Sequence, residues 1–318
     1  MMRILAVDDD PLILELLPVV FRQADFPQIS VASSGAAALE LLNDPDEHFD
    51  CLLLDIEMPE MTGIILCERI RQLSKYRSTP ILMLTSVTDH ARVERAFAAG
   101  ANDYISKPFD VKEIATRVRV AERMVASVSN VARFEGTDAI LAAGRGQHNF
   151  AVDMPVELAS IPQLILPFSL GNYLSQLARS KIDACQVFAV HVEAIEDLYT
   201  QSNSREFVSA LSKISQAIIR VADYPHMLMA YSGNGVFLCI TQGVTVPDWP
   251  GIEEDIYELL HDGTALFDDG TAMNLDVSVG NPITPFASRT QRVKKTFERA
   301  IDRAMMRGKA KRAQRRVE

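Results

Sequence analysis

The first third of the chain alternates short strand-like stretches with segments in which apolar residues recur every three or four positions. The strand-like stretches are 3–7, 28–32, 51–55, 80–86 and 103–108. Cys51-Leu52-Leu53-Leu54 is apolar without interruption up to Asp55, and Pro80-Ile81-Leu82-Met83-Leu84 is similar. Unbroken runs of this length suit strands covered on both faces, as in a parallel sheet. Segments 12–24, 36–42, 62–74 and 89–99 read as helices, and another follows Asp110. Asp10 can cap the first helix with Pro11 in its opening turn, Gly100 suits a helix C-terminus, and Asp110 with Glu113 forms a capping box. Pro18 falls inside the first helix and predicts a kink. Five strand–helix alternations predict a doubly wound parallel α/β domain over 1–124.

Beyond it, Val111, Ile114, Val118, Ala121, Val125, Val128 and Ala132 follow a 3-4-3-4-3-4 spacing, with no strong breaker before Gly136. That is a heptad seam. Past Arg123 it admits two readings, a dimerising or signal-carrying stalk and an ordinary amphipathic helix packed on its own domain. Residues 125–159 read as this helical extension followed by a glycine-containing linker, whose few polar–apolar alternations admit a hairpin. From 160 to 318 the pattern predicts an α+β domain. Helices fall at 170–179, 206–221, 252–261 and 292–307, and strands at 186–192, 227–231, 236–240 and 274–279. Ser232-Gly233-Asn234-Gly235 has the residues of a tight hairpin turn between two of these strands.

Composition narrows the class. A chain of 318 residues with 48% hydrophobic residues can bury two sizeable cores. Its apolar runs fall short of the roughly 18 residues that span a bilayer. The first residues run straight into a strand without a signal-peptide layout, so a cytoplasmic protein that does not enter membranes is expected. Cys51, Cys67, Cys185 and Cys239 lie far apart and read as buried free thiols. A formal net charge of −10 argues against general nucleic-acid affinity. The segment 292–316 is the exception, strongly basic, and reads as a solvated helix face, an anchor for an acidic partner, or a nucleic-acid contact.

In a doubly wound sheet the carboxyl ends of the strands share one edge, where ligands bind. The predicted strands place Asp8, Asp9, Asp55, Thr85 and Lys107 there. Clustered carboxylates with a hydroxyl and a lysine suit a hard divalent cation such as Mg²⁺. A carboxylate can also attack a phosphoryl group while metal and lysine neutralise the phosphate oxygens.

Asp8-Asp9, Asp55-Ile56-Glu57-Met58-Pro59, Thr85, Tyr104 and Lys107-Pro108 resemble the motif set of response-regulator receiver domains of two-component signalling. The resemblance spans roughly 1–124 and implies a flavodoxin-like, CheY-like fold. It implies that Asp55 is the phosphoacceptor, receiving the group from a histidine kinase or phosphotransfer protein. Mg²⁺ would be held by Asp8, Asp9, Asp55 and the backbone carbonyl of Glu57. Lys107 would pair with the phosphoryl group, with a cis Lys107–Pro108 peptide. Thr85 and Tyr104 would be the switch residues. Every motif position is intact, so phosphorylation competence is expected.

Residues 160–318 resemble, in layout more than in motif, the GGDEF domain of diguanylate cyclases. The resemblance rests on Leu166-Pro167, Asp276-Val277-Ser278-Val279-Gly280 and the helix around Ile301–Lys309. The signature hairpin reads Ser232-Gly233-Asn234-Gly235-Val236, with Gly235 where the family carries an acid. The metal-binding aspartate falls on His191, the nucleotide-contacting asparagine on Tyr199 and a second aspartate on about Val208. The product-inhibition positions fall on Asp223 and His226. Two-metal attack on a triphosphate needs carboxylates at these places. The expectation is a non-catalytic, degenerate output that binds a downstream protein or dimerises. The alternatives are a cyclase with an atypical site and a nucleic-acid-binding regulator.

Overall fold

The computed structural model describes residues 2–86, 90–127, 131–135, 140, 144–222, 227–242, 251–262, 265–288 and 291–315. The chain divides into two compact units, 1–130 and 131–318.

The first unit runs β1 (Ile4–Val7), α1 (Pro11–Gln23), β2 (Ile29–Ala32), α2 (Gly35–Asn43), β3 (Cys51–Asp55), α3 (Gly63–Gln72), a 3₁₀ turn (Ser74–Tyr76), β4 (Ile81–Thr85), α4 (His90–Ala98), β5 (Asp103–Ser106) and α5 (Val111–Ser127). All strand pairs are parallel, in the order β2-β1-β3-β4-β5. The pleat of β1 and β3 divides their side chains between two cores. Leu5, Val7, Leu52 and Leu54 meet Ala38, Leu66 and Ile70 on one face. Ile4, Ala6, Cys51 and Leu53 meet Leu17, Phe21, Ile114 and Val118 on the other. That two-sided burial is why these strands read as unbroken apolar runs.

Local chemistry sets the helix starts. Asp10 Oδ1 accepts from the Leu12 amide, Ser34 Oγ from Ala37, and Asp110 Oδ1 from Glu113. α1 continues through Pro18 as one helix. Asp89, expected in α4, lies outside the described residues.

The seam on α5 is the stripe that faces its own sheet. Ile114, Val118 and Ala121 are fully buried, whereas Val125 is 43% exposed. Val128 lies outside the described residues. Ala132 belongs to a strand, so the helix expected to continue to Ala132 is corrected.

The second unit runs β6 (Ala132–Phe134), β7 (Val156–Leu158), α6 (Pro167–Gln176), α7 (Arg179–Ile182), β8 (Cys185–Val192), α8 (Ile195–Gln201), α9 (Ser204–Ala222), β9 (Met227–Tyr231), β10 (Val236–Gln242), α10 (Gly251–Asp262), β11 (Val277–Val279) and α11 (Arg292–Arg315). Its sheet has the order β11-β8-β10-β9-β7-β6. β6 and β7 pair in parallel, and every other pair is antiparallel. The stretch 125–159 is therefore not only extension and linker, because it supplies two strands. Because β6 and β7 pair in parallel, they are not the two arms of a hairpin, and the chain must cross over between them. These three-residue strands carry too little alternation to read alone. Val156 and Leu158 are buried while Glu157 pairs with Arg133 at 2.7 Å.

α11 continues through Gly308, where the sequence reading ended it. A Cβ at Gly308 would lie 2.2 Å from Glu193 Oε1, so glycine lets the helix press against β8 and β11. The basic side chains beyond it have acids to meet. Arg307 pairs with Glu253 at 2.9 Å, Lys311 with Asp276 at 2.6 Å, and Arg312 with Glu193. At the other end, buried Arg292 donates to the carbonyls of Leu177 at 2.8 Å and Phe286 at 3.1 Å, closing the C-terminus of α6. Among the described residues, no helix is long and apolar enough to cross a membrane.

Candidate functional site

The order of the first sheet reverses between β2-β1 and β3-β4-β5, which opens a crevice at the carboxyl ends of β1 and β3. Asp8 follows β1 directly and is buried, whereas its neighbour Asp9 is exposed. Asp55 is the last residue of β3, 5% exposed. One ligand oxygen from each of Asp8, Asp9 and Asp55 lies within 4.8 Å of the others. Asp8 Oδ1 is fixed by the Asp10 amide at 3.0 Å.

Lys107 enters from the end of β5, its amide donating to the Thr85 carbonyl at 2.7 Å. Its Nζ stands 2.6 Å from Asp8 Oδ2 and 2.8 Å from Asp55 Oδ1. The Lys107–Pro108 peptide is cis. Thr85 closes β4 and is buried, and Tyr104 in β5 is half-buried against the core beneath α3. The Tyr104 amide donates to Asp103 Oδ1 at 2.9 Å. Glu57, just beyond Asp55, is exposed and its side chain pairs with Arg92 of α4.

Burial pushes the Asp55 carboxyl up from 3.8 to about 6, against the hydrogen bond and charge of Lys107. Burial draws Lys107 down, but its bonds to Asp55 and Asp8 outweigh this and leave it above its usual 10.5. Three carboxylates here share a single ammonium. With all three ionised, two negative charges stay unbalanced. An all-oxygen donor set with that excess fits a hard divalent cation.

Two contributors escaped the sequence reading. Gly63 opens α3 so close to β3 that a Cβ there would lie 2.0 Å from the Asp55 carbonyl oxygen. Its amide donates to the Ile56 carbonyl at 3.1 Å, fixing the loop that leaves the site. Arg92 is the other, and nothing near it in sequence signals its pairing with Glu57.

The positions singled out in the second unit are also placed. Antiparallel pairing sets His191 opposite Val236, beside the Ser232–Gly235 turn. His191 Nδ1 lies 3.6 Å from Glu193 Oε1. Gly233, Asn234 and Gly235 all have positive φ. A Cβ on Gly235 would meet Ile195 Cβ at 2.9 Å, and one on Gly233 the Asp153 carbonyl oxygen at 2.0 Å. Tyr199 lies on α8 with its ring stacked on His148, centroids 3.7 Å apart. Val208 is buried in α9. Asp223 and His226 lie outside the described residues.

Residues 4–119 match the response regulator receiver domain family. The transcriptional regulatory protein SrrA of Staphylococcus aureus is 36% identical over 127 residues, which is 40% of this chain and 50% of that protein. The chain thus spans about half the length of the curated relatives it matches. Among solved structures, the chemotaxis response regulator CheY4 of Vibrio cholerae is 30% identical, covering 38% of this chain and 98% of that one, with a TM-score of 0.36. A response regulator from Chloroflexus aurantiacus J-10-fl is 37% identical, covering 39% of this chain and 98% of its own, also with a TM-score of 0.36. The N-terminal unit of this chain is a response regulator receiver domain with a five-stranded, flavodoxin-like parallel sheet.

Proposed function

We propose that the chain is a phosphorylation-dependent switch of a two-component or phosphorelay system. The convergence of Asp8, Asp9 and Asp55 around Lys107 carries this reading. An Asp55 carboxylate oxygen attacks the phosphorus of a phosphohistidine on a histidine kinase or phosphotransfer protein. A P–O bond forms, the P–N bond breaks, and the imidazole nitrogen leaves with the electron pair. Asp8, Asp9 and Asp55, with the Glu57 carbonyl, are the groups that would hold Mg²⁺, which supplies charge neutralisation at the phosphoryl oxygens when bound. Lys107 sits where it can exchange a carboxylate partner for a phosphoryl oxygen, and Thr85 ends the strand between Asp55 and Lys107. Tyr104, opposite Met83 in the β4–β5 pairing, would follow the movement of Thr85.

The second unit, in this reading, is a degenerate GGDEF-like output that binds a downstream protein or a second copy without catalysis. The support is chemical. His191 and Gly235 stand where two-metal chemistry needs carboxylates, and Gly235 is packed against Ile195. A nucleic-acid role is disfavoured, because Arg307, Lys311 and Arg312 are paired with acids of the same unit.

Incubation with acetyl phosphate and Mg²⁺, read by intact mass, tests the receiver. Addition of one phosphoryl group that Asp55→Asn abolishes is expected, and an unmodified wild-type chain overturns the reading. Incubation with GTP and Mg²⁺ tests the output. Formation of a cyclic dinucleotide overturns the non-catalytic assignment.

A further inference from the structure

The crossover between β6 and β7 does not pass freely over the second unit. From Gly144 to Met154 it lies along α8, the first turn of α9 and the β9–β10 turn, bonded at each. The Gly146 amide donates to the Ser202 carbonyl at 2.8 Å. The Asn149 amide donates to Ser204 Oγ at 3.2 Å, and that hydroxyl donates back to Asn149 Oδ1 at 3.0 Å. Tyr199 Oη donates to the Phe150 carbonyl, and the Asn234 amide to the Val152 carbonyl at 2.8 Å. The His148 ring lies flat on Tyr199, with ring planes 15° apart.

Apart from Phe150, which enters the core with Val152 and Met154 packed against it, the attachment is shallow, and Arg145 adds an ion pair to Asp269. Within 144–154 Phe150 alone is buried, and most other residues are exposed. One feature of the seating works against it. His148 Nε2 is 2.6 Å from the Tyr199 carbonyl oxygen, which makes Nε2 the N–H donor. The bare Nδ1 is then buried with no hydrogen-bond partner. A buried acceptor left unpaired favours release to water. Among the described residues, β6 lies at the sheet edge beside β7, and β7 meets β9 at one register pair, Val156 with Tyr231, while Val156 and Leu158 are buried in the core.

We propose that Gly144–Met154 is a displaceable strap, an internal occupant of the face formed by Tyr199, Ser204 and the β9–β10 turn. Its release exposes that face, and receiver activation promotes the release. The coupling rests on the phosphoryl-switch reading above. The strap itself does not. Chain order supplies the coupling, because α5 ends at Ser127 and β6, the start of the crossover, begins at Ala132. Along the chain, β6 is the first element of the second unit to follow α5. Segments that open in signalling are drawn from the low-stability end of a fold.

Native-state hydrogen exchange on the full chain tests both parts. The Gly146, Asn149 and Asn234 amides are expected to exchange at least tenfold faster than those of Leu238 and Ile240 in β10. The double variant Tyr199→Phe, Ser204→Ala removes the ties made by these two side chains and keeps the ring. It is expected to speed the strap amides about tenfold further with β10 unchanged. Strap amides that exchange at the β10 rate, or that ignore the double variant, overturn the strap. With Mg²⁺ and beryllofluoride, a severalfold acceleration of the strap is expected alongside protection around Asp55. Protection around Asp55 with an unaltered strap overturns the coupling alone. No protection around Asp55 overturns the phosphoryl reading and the coupling with it, while the double variant still decides the strap.

Discussion

The Lys107 ammonium stands 2.8 Å from Asp55 Oδ1, and the two residues come from strands on either side of β4. Lys107 also holds Asp8 at 2.6 Å, so it is the shared counter-charge of two buried carboxylates. Lys107→Met keeps the length of the side chain and removes that charge. Formation of the aspartyl phosphate from acetyl phosphate is expected to slow about a hundredfold, the usual effect of deleting one preorganised charge partner. Mg²⁺ binding should tighten modestly, because the acids lose a competing cation. Unchanged phosphorylation kinetics by mass spectrometry would remove Lys107 from the site.

Asp55 carries a pH signature. Burial raises its carboxyl from 3.8 to about 6, so the folded state holds the proton more tightly than the unfolded chain. Its contribution to stability is therefore fully present below the unfolded value and is lost as pH rises through about 6. Above that pH the ionised group is a burden on the metal-free receiver. Asp55→Asn should stabilise the receiver by about 1–2 kcal/mol near pH 7.5, after discounting for solvent screening, and by little below about pH 4. Mg²⁺ should shrink the difference at the higher pH by stabilising the wild type. Urea unfolding at both pH values, with and without chelator, checks this, and a gain independent of pH contradicts it.

Gly63 tests how closely α3 must approach the site. Gly63→Ala places a methyl group where the Asp55 carbonyl oxygen lies 2.0 Å away, and backbone cannot rotate aside as a side chain can. A loss of about 1–3 kcal/mol is expected from overpacking. Displacement of the 56–62 loop should also weaken Mg²⁺ binding roughly tenfold, as for other supporting positions around metals. Isothermal titration with Mg²⁺ measures the second effect. A stable variant with unaltered affinity would show that the close approach does not position the loop.

How far the sequence could be read depended on whether the signal was local. Asp55 was legible because four apolar residues precede it and a strand buried on both faces tolerates nothing else. Asp8 and Asp9 were legible as a pair, but which is buried and which exposed follows from the turn after β1, with Asp8 directly beyond the strand and Asp9 in the bend after it. Glu57 and Arg92 meet only through tertiary packing, and no local pattern announces such a pair. In the second unit the long amphipathic α9 was plain, with Phe207, Leu211, Ile214 and Ile218 buried as spaced. β6 and β7 were not, because three-residue strands take their definition from partners far along the chain. Gly308 sits inside α11, where it serves close packing, and Lys311 and Arg312 beyond it find Asp276 and Glu193.

The turn at Gly235 offers the sharpest test of the output. If only the missing acid separated this domain from a working cyclase, Gly235→Asp would be a first step toward activity. The geometry argues otherwise. Gly235 has φ +74, and a Cβ there meets Ile195 Cβ at 2.9 Å and the Val192 carbonyl oxygen at 3.1 Å. Its amide already donates to the Tyr231 hydroxyl oxygen at 3.0 Å, and its carbonyl accepts from the Val192 amide at 2.8 Å. An aspartate would start from a strained backbone and a filled space, with His191 where the proposed cyclase-like layout would need a second carboxylate. Gly235→Asp is expected to cost the second unit about 1–3 kcal/mol and to yield no cyclic dinucleotide from GTP and Mg²⁺. Asn234→Asp, at the exposed position of the same turn, separates strain from charge and should leave stability nearly unchanged. A Gly235→Asp protein of wild-type thermal stability would show that the turn has room for a side chain, and product formation would return the domain to the enzymes.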